Sequence, residues 1–355
     1  MDNTVAQLIT QEGDFKIWIR QDVPPEIVDF LRSVLMGTEG AMYEHLDVEK
    51  RIAHIKSPYL AYATKEDSLV ACMLMSRVES LQKAIPLDSY YIRYFSAHPD
   101  FKGQGITKRL SAVFIRAFQA QLPENTLLYA AMEGGNKRSI SIVEKVGFTS
   151  KKPVQTFGFS RFFPKGNPKI EQLLNPGDRA VMLDLLSQFY QNYTIHHHQN
   201  IFQNDQYYVI RENGKIVAGL QMHRTVWRIR GMPGWKGKVL LNVVPKIPVL
   251  NKMMNPNWFE FITFEGIYYQ PGKEAKLFSL MEGLLAQEKL KTAIFWLAGD
   301  SPVSSMLRKK AKLGIIHALV KDSVTYMTFN GKGLQPEVEK ILKECPPYIS
   351  SFDFI

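Results

Sequence analysis

The chain has 355 residues, 45% of them hydrophobic, and a formal net charge of +10. This length predicts two or more domains with packed cores, and a content of only two cysteines excludes a disulfide framework. No apolar run is long enough to cross a bilayer, and the first residues do not resemble a secretion signal. We therefore expect a cytoplasmic protein with no membrane partner.

The positive charge and a histidine run are the features that could indicate nucleic-acid or metal binding. The lysines and arginines are scattered and no RNA-binding motif is present, so we predict no nucleic-acid partner. His196, His197 and His198 are adjacent, and adjacent side chains on a helix or strand point in different directions. No further metal-binding side chain lies at ligand spacing from them, which predicts a polar loop and no metal.

The first strongly patterned elements are a hairpin, a strand and a helix. Residues 59–77, "YLAYATKEDSLVACMLMSR", are typical of strand, polar turn and strand. The aromatic stretch 90–97 predicts a further strand. After it, Ile106, Leu110 and Phe114 recur at helical spacing, which predicts a helix that directly follows this strand.

Gly103 and Gly105 stand between this strand and this helix. The first amides of a helix have no internal partner and carry the positive end of the helix dipole. Glycines allow a phosphate to approach those amides, and Lys102 and Lys108 add positive charge. The turn fits neither the P-loop nor the dinucleotide-binding pattern, so the residues predict an anion cradle of another kind.

A second motif, "NKRSISIVEKVGF", begins at Asn136. Asn136 is a good N-cap for a helix, and Gly147 is a good left-handed residue at its end. Val143 and Val146 would face the core, and the preceding "TLLYAAM" is typical of a buried strand.

These two motifs resemble the signatures of the GNAT N-acetyltransferase superfamily, over roughly residues 14–160. The family's coenzyme A loop has the pattern Arg/Gln-x-x-Gly-x-Gly/Ala, from which this sequence departs at Lys102 and Thr107. The resemblance implies that strand amides, the loop and the asparagine bind the cofactor. These residues are Phe95, Ser96, Ala97, Lys102, Gly103, Gln104, Gly105, Ile106, Thr107, Lys108 and Asn136.

The family's usual general acid is missing from this sequence. Many members have a tyrosine seven positions after the asparagine, where this chain has Val143. We expect the catalytic acid or base among Glu133, Tyr94 and Ser141, and the alternative for Glu133 is a solvated loop carboxylate. Some tandem and related transferases use the C-terminal carboxylate as base, and the aromatic tail "PPYISSFDFI" predicts that this end is anchored.

The second half repeats the pattern of the first. Residues 207–224 match the hairpin pattern of residues 59–77, and Gly272 and Gly314 have the separation of Gly105 and Gly147. We therefore predict an α/β fold with mixed α+β sheets, made of two tandem GNAT domains. The two sheets are expected to be separate and to have the same strand order.

The predicted domains are residues 1–160, residues 161–335 and a tail of residues 336–355. In the second domain Gln270 and Pro271 fall at the positions of Gly103 and Gln104, and proline has no N–H to donate. Val303 falls at the position of Asn136. The sequence therefore predicts one acetyl-CoA per chain, bound by the first domain. The second half has extra residues within 225–258 that the first half lacks. They could form a flap over the acceptor site, an oligomer surface or an ordinary hairpin.

The resemblance implies an acetyl-CoA-dependent N-acyltransferase whose acceptor is a small-molecule or peptide amine. The acceptor is not named by the sequence, and the protein is expected to be a monomer or homodimer. The alternative is a non-catalytic coenzyme A-binding or interaction protein, which the valine at position 143 favours.

Overall fold

The computed structural model of the chain describes residues 5–37, 41–83, 85–101, 105–232 and 234–355. Its strands are rich in aromatic and β-branched residues, which pack well on a pleated surface. They are β1 (Gln7–Glu12), β2 (Phe15–Arg20), β3 (Met42–His45), β4 (Pro58–Lys65), β5 (Ser68–Gln82), β6 (Ile85–Ala97), β7 (Thr126–Glu133), β8 (Ser150–Ser160), β9 (Ile170–Gln172), β10 (Tyr207–Glu212), β11 (Lys215–Gly231), β12 (Phe259–Tyr269), β13 (Thr292–Ala298) and β14 (Val324–Lys332).

The helices lie beside the sheet, and the longer ones place apolar faces on it. They are α1 (Pro25–Arg32), α2 (Val48–Ala53), α3 (Ile106–Gln121), α4 (Lys137–Lys145), α5 (Pro176–Phe189), α6 (Gly234–Asn242), α7 (Pro248–Asn251), α8 (Glu274–Gln287), α9 (Pro302–Lys310), α10 (Ile315–Val320) and α11 (Pro336–Glu344). Within the described ranges, no helix is both long enough and apolar enough to cross a membrane.

The described strands form one mixed sheet that runs through both halves of the chain. Its order is β1-β2-β4-β5-β6-β7-β14-β8-β13-β12-β11-β10-β9, and β3 pairs with β11 beside this path. The fold is therefore α/β with a mixed sheet, as predicted. The prediction of two separate sheets is wrong.

The two halves join because each contributes one strand to the other. β14, from the second half, pairs antiparallel with both β7 and β8. β8, from the first half, pairs on its other side with β13. No open edge remains between the halves, since the strands that would form it are paired. The residue pattern of a strand does not identify its neighbour, so this exchange could not be predicted. The division of the chain at residue 160 stays a prediction.

The first half contains the predicted strand, turn and helix. β6 includes the predicted residues 90–97, and α3 begins at Ile106 directly after the glycine turn. Leu110 and Phe114 of α3 are fully buried against the sheet. The second predicted helix is α4, whose Val146 is buried and whose Val143 packs against the same core.

The second half repeats this order, with the hairpin β10–β11 followed by β12, α8, β13 and α9. Leu277 and Leu284 of α8 are fully buried in its core, as Leu110 and Phe114 are in the first half. The cap of α9 differs from the expectation that placed Val303 opposite Asn136. Ser301 is the N-cap, and its side chain accepts a hydrogen bond from the amide of Ser304. The helix is thus capped two residues earlier than the glycine spacing indicated.

The histidine run lies in a loop, as predicted, but the loop is buried rather than polar and solvated. His196 and His197 are almost fully buried, and backbone bonds join His196 to Leu81 in both directions. Burial lowers the pKa of His196 to about 2 and that of His197 to about 4, so both rings are neutral near pH 7. The described residues contain no cluster of three or more histidine, cysteine or acidic side chains that could hold a metal ion.

The extra segment within 225–258 is mainly helical and does not form the ordinary hairpin. The end of β11 pairs with β3 of the first half, and α6 and α7 follow. Met253 and Met254 are buried in the core that both halves share. This segment therefore joins the two halves beside the cavity described next.

Candidate active site

β6 and β7 separate at the centre of the sheet. They pair in parallel from Asp88 with Thr126 to Ile92 with Ala130, and no pair follows. At the same level β6 has a bulge, because Tyr94 pairs with Leu74 and Ile92 pairs with Met75, which leaves Arg93 without an opposite residue. A bulge bends its strand and increases the local twist. The strands therefore open like a V immediately beyond the bulge.

The V opens onto a cavity of about 760 Å³ between the two halves. Arg93 and Tyr94 of β6 and Glu133 of β7 line it from the first half. The second half adds Trp227 and Trp296. Phe95, Ser96 and Ala97, predicted to contact the cofactor, lie on the diverging arm of β6 and pair with β5 on their other side.

The helix α3 begins at the outer end of this arm. Gly105 is its N-cap, with φ of +72°, and none of the described atoms lies within 4 Å of the position that a Cβ would take. Ile106 is buried, and the backbones of Thr107 and Lys108 lie in the first turn. Lys102, Gly103 and Gln104 lie outside the described residues. The first amides of a helix have no partner within the helix, so this end of α3 is of the kind that binds anions.

The corresponding turn of the second half is not suited to bind a phosphate. Gly272 has φ of +83° and equally open surroundings. However, Pro271 has no amide to donate, and Glu274 stands at the first position of α8. Glu274 is paired with Lys310 at 2.9 Å and would place a carboxylate where a phosphate has to approach.

Two of the predicted site residues lie on or before α4. The Asn136 side chain accepts a hydrogen bond from the amide of Ser139 at 3.0 Å, which confirms the predicted cap. Ser141 is exposed on α4 and is not among the residues that line the cavity. Of the three predicted catalytic candidates, the structure thus brings Tyr94 and Glu133 together at the cavity and leaves Ser141 outside it.

Tyr94 is buried, and its hydroxyl lies 3.3 Å from Nδ1 of His45. The His45 ring stacks on Trp227 at 5.4 Å. Burial lowers the pKa of His45 well below its usual value, and the positive charges of Arg51 and Arg93 add to this. The ring is therefore neutral near pH 7 and acts on Tyr94 as a hydrogen-bonding group without charge.

The last residues of the sequence, Asp353 to Ile355, also line the cavity. The Asp353 carboxylate accepts a hydrogen bond from Nη2 of Arg93 at 2.8 Å, and both side chains are nearly inaccessible to solvent. Burial raises the pKa of Asp353 to about 7 even though Arg93 opposes this. Asp353 was not predicted as a site residue. The sequence feature that pointed to this region was the aromatic tail, which predicted only that the segment is anchored.

A buried carboxylate holds this segment in place. Glu265 of β12 accepts hydrogen bonds from the amide of Phe352 at 3.2 Å and from the Tyr348 hydroxyl at 3.3 Å. Its Oε2 also lies 3.3 Å from Nε2 of His223. Burial alone would raise the pKa of Glu265, but His223 and the amide of Phe352 help to lower it overall, so the carboxylate stays ionised. The negative charge of Glu265 in turn helps to raise the pKa of Asp353.

Two comparisons with known proteins agree with this geometry. Residues 28–148 match the acetyltransferase (GNAT) family model. Two structures of Saccharomyces cerevisiae N-myristoyltransferase with bound myristoyl-CoA are 10% identical to this chain. Both cover 97% of this chain, with TM-scores of 0.58 and 0.59 and coverage of 91% and 86% of their own chains. No curated protein sequence matches the chain.

A GCN5-related N-acetyltransferase from Anabaena variabilis is also similar, with 11% identity and a TM-score of 0.49. It covers 88% of this chain, and 72% of its own chain is matched. At such low identity the yeast structures show a shared fold and nothing about the reaction. The matched segment contains β6, the glycine turn, α3 and α4, which are the elements that the resemblance rested on. Residues 28–148 are therefore similar to the acetyltransferase (GNAT) family, and the chain has a fold that is similar to that of N-myristoyltransferase.

Proposed function

We propose that the protein is an acyl-CoA-dependent N-acyltransferase with acetyl-CoA as its donor. The observation that carries this proposal is the V between β6 and β7, whose β6 arm begins at the cavity and is followed by the N-terminus of α3. The description of the matching family as acetyltransferases supports the acetyl group. The donor would be held by the amides of Gly105 to Lys108, by the β6 residues Phe95 to Ala97 and by Asn136.

Acyl transfer to an amine requires a neutral nitrogen and a proton for the departing thiolate. We assign the base to Asp353, because a carboxyl with a pKa of about 7 in the cavity can accept a proton near neutral pH. We assign the acid to Tyr94, which lies on β6 within the same cavity. Asp353 takes the amine proton as the new C–N bond forms and the C–S bond breaks, and Tyr94 gives a proton to the sulfur.

Glu133 of the first half also lines this cavity, and it stays a candidate base acting directly or through water. Ile355 lines the cavity as well, and it is almost completely buried.

The direct test is release of free coenzyme A thiol by the purified chain. Acetyl-CoA, octanoyl-CoA and myristoyl-CoA are each supplied with tyramine, spermidine and a glycine-initiated peptide, and with no amine as control. We expect amine-dependent thiol release from acetyl-CoA. Release from myristoyl-CoA alone would contradict the acetyl donor. Acetyl-CoA binding without transfer to any amine would support the non-catalytic alternative.

Glu265→Gln is expected to shift the ascending limb of the pH profile to lower pH. The charge of Glu265 helps to hold the pKa of Asp353 at about 7, so its removal lowers the pH at which Asp353 ionises. The measurement is kcat/KM for acetyl transfer as a function of pH. Glu260→Gln, on the same strand and paired with Arg224 at the surface, is the matched control and should leave the limb unmoved. An unmoved limb in both variants would contradict the coupling.

A further inference from the structure

Residues 234–258, which lie between β11 and β12, combine positive charge with large apolar side chains. This segment contains four lysines, two tryptophans and no acidic residue. It folds as α6, a 3₁₀ turn (Val244–Lys246), α7 and the loop that leads into β12. We call it the basic segment. Because it has no acidic residue of its own, the basic segment is positively charged at every pH near neutrality.

The helix α6 has apolar residues on its outer face as well as on its inner face. Leu240 is almost completely buried in the core that both halves share. On the outer face Trp235 is 72% exposed, and Val239 and Val243 follow it at intervals of four residues and are exposed as well. The amide of Val243 donates to the carbonyl of Val239 at 2.9 Å, so the helical turn continues through this position. Apolar side chains that are exposed together in this way mark an interaction surface, whereas single ones are common.

Two further apolar side chains of the basic segment are exposed, Ile247 and Trp258. Trp258 is 56% exposed, so both tryptophans of the segment reach the solvent. An indole has a large apolar body and one polar N–H, which suits it to the boundary between hydrocarbon and water. The tryptophans therefore favour a partner with such a boundary.

The exposed lysines of the basic segment are Lys238, Lys246 and Lys252. The ion pairs found among the described residues do not include them. Glu44 of the adjoining strand β3 is bound to both Arg228 and Arg230, with N–O distances of 3.3 and 2.7 Å, so it adds no net negative charge here. The charge of the surface therefore favours an anionic partner.

We infer that the exposed face of the basic segment binds the surface of a bilayer that contains anionic lipids. The lysines contact the phosphates of the headgroups, while Trp235, Val239 and Val243 enter the boundary between headgroups and acyl chains. The expectation of no membrane partner rested on the lack of a spanning run, and binding at the surface requires none. This inference does not depend on the proposed function, since vesicle binding is measured without acyl transfer.

Two other partners fit this surface less well. In a symmetric dimer of the chain the same patch lies on both sides of the interface, so the lysines of one copy would face those of the other. A nucleic acid would pair with the lysines, but its phosphate backbone gives Val239 and Val243 nothing to pack against. A bilayer surface offers negative charge and apolar groups together.

The test is flotation of the full chain with two kinds of vesicle, phosphatidylcholine alone and phosphatidylcholine mixed with phosphatidylglycerol. We expect binding to the mixed vesicles to be about 100-fold tighter, because each exposed lysine gains from the anionic surface. Lipids that are brominated in the acyl chain should quench the tryptophan fluorescence of the bound chain, because the indole of Trp235 would lie within their reach.

Failure to bind the mixed vesicles would overturn the inference. Binding without quenching would overturn it as well, because it would show a contact of charges alone. Sedimentation of the chain alone and with a DNA duplex covers the other partners. A dimer that Trp235→Gln dissociates would assign the surface to a second copy, and tighter binding to the duplex than to the mixed vesicles would assign it to nucleic acid.

Trp235→Gln connects the apolar part of the binding to α6. The variant should bind the mixed vesicles about tenfold more weakly and lose much of the quenching, since a large apolar side chain no longer enters the bilayer. Phe163→Gln is the matched control, because Phe163 is 81% exposed and lies outside the basic segment. It should bind and be quenched as the native chain is.

The double variant Lys246→Gln with Lys252→Gln tests the charge. It should bind the mixed vesicles about 30-fold more weakly. The matched control is Lys165→Gln with Lys169→Gln, which removes two exposed lysines elsewhere on the surface. Equal losses in the control would show attraction to the net charge of the whole chain and would overturn the inference. Unchanged binding in the variants of the basic segment would overturn it as well.

Discussion

Gly105→Glu is expected to abolish acetyl-CoA binding. The new carboxylate would stand at the N-cap of α3, where we propose that the first helix amides bind the pyrophosphate. Loss of charge-assisted hydrogen bonds and repulsion between like charges should together cost at least about 3 kcal/mol, which is more than a hundredfold in affinity. Calorimetric titration with acetyl-CoA measures the effect.

Gly272→Glu is the matched control for this variant. Both glycines have a positive φ and none of the described atoms within 4 Å of a new Cβ, so the backbone strain of about 1–2 kcal/mol is the same in each. If the first half alone binds the donor, Gly272→Glu should bind one acetyl-CoA per chain with unchanged affinity. Normal binding by a folded Gly105→Glu chain, or loss of binding in Gly272→Glu, would show that the donor lies elsewhere.

Asp353→Asn is expected to lower kcat/KM by about 10²- to 10⁴-fold, the usual contribution of a general base. The base is active as the carboxylate, which forms as the pH rises through about 7. The native enzyme should therefore gain activity across this range, and the variant should lack this ascending limb. The measurement is the pH profile of kcat/KM with saturating acetyl-CoA.

The same substitution has an independent effect on stability. The folded pKa of Asp353 lies above the ordinary carboxyl value, so the folded chain binds this proton more tightly than the unfolded chain. Its contribution to the free energy of unfolding therefore falls as the pH rises from about 4 to 7, and the variant should lack that fall.

Asp322→Asn, which removes another carboxylate from the same cavity, is the control for the pH profile and should retain the ascending limb of kcat/KM. A limb that persists in Asp353→Asn would assign the base elsewhere.

Local chemistry made the first half predictable from the sequence. Asn136 and Gly147 mark the ends of α4, and the glycine turn marks the start of α3, through rules that act within a few residues. No rule of this short range predicts which residues line the cavity. Arg93 and Asp353 are 260 residues apart, and Trp227 reaches the cavity because β11 pairs with β3 of the first half. A sequence pattern shows that each residue is buried, but only the assembled sheet shows which residues meet.

The exchange of β8 and β14 has a consequence for how the chain folds. Thr328 of β14 donates a side-chain hydrogen bond to the carbonyl of Ala130 on β7, across 198 positions of sequence. During synthesis, β7 is complete long before the strand that covers its edge has left the ribosome, and unpaired edges invite aggregation. Contacts at such separations form slowly, because the closure of a long loop precedes any gain from pairing. We expect neither half to reach its native state alone, and expect folding of the whole chain to await the arrival of β14.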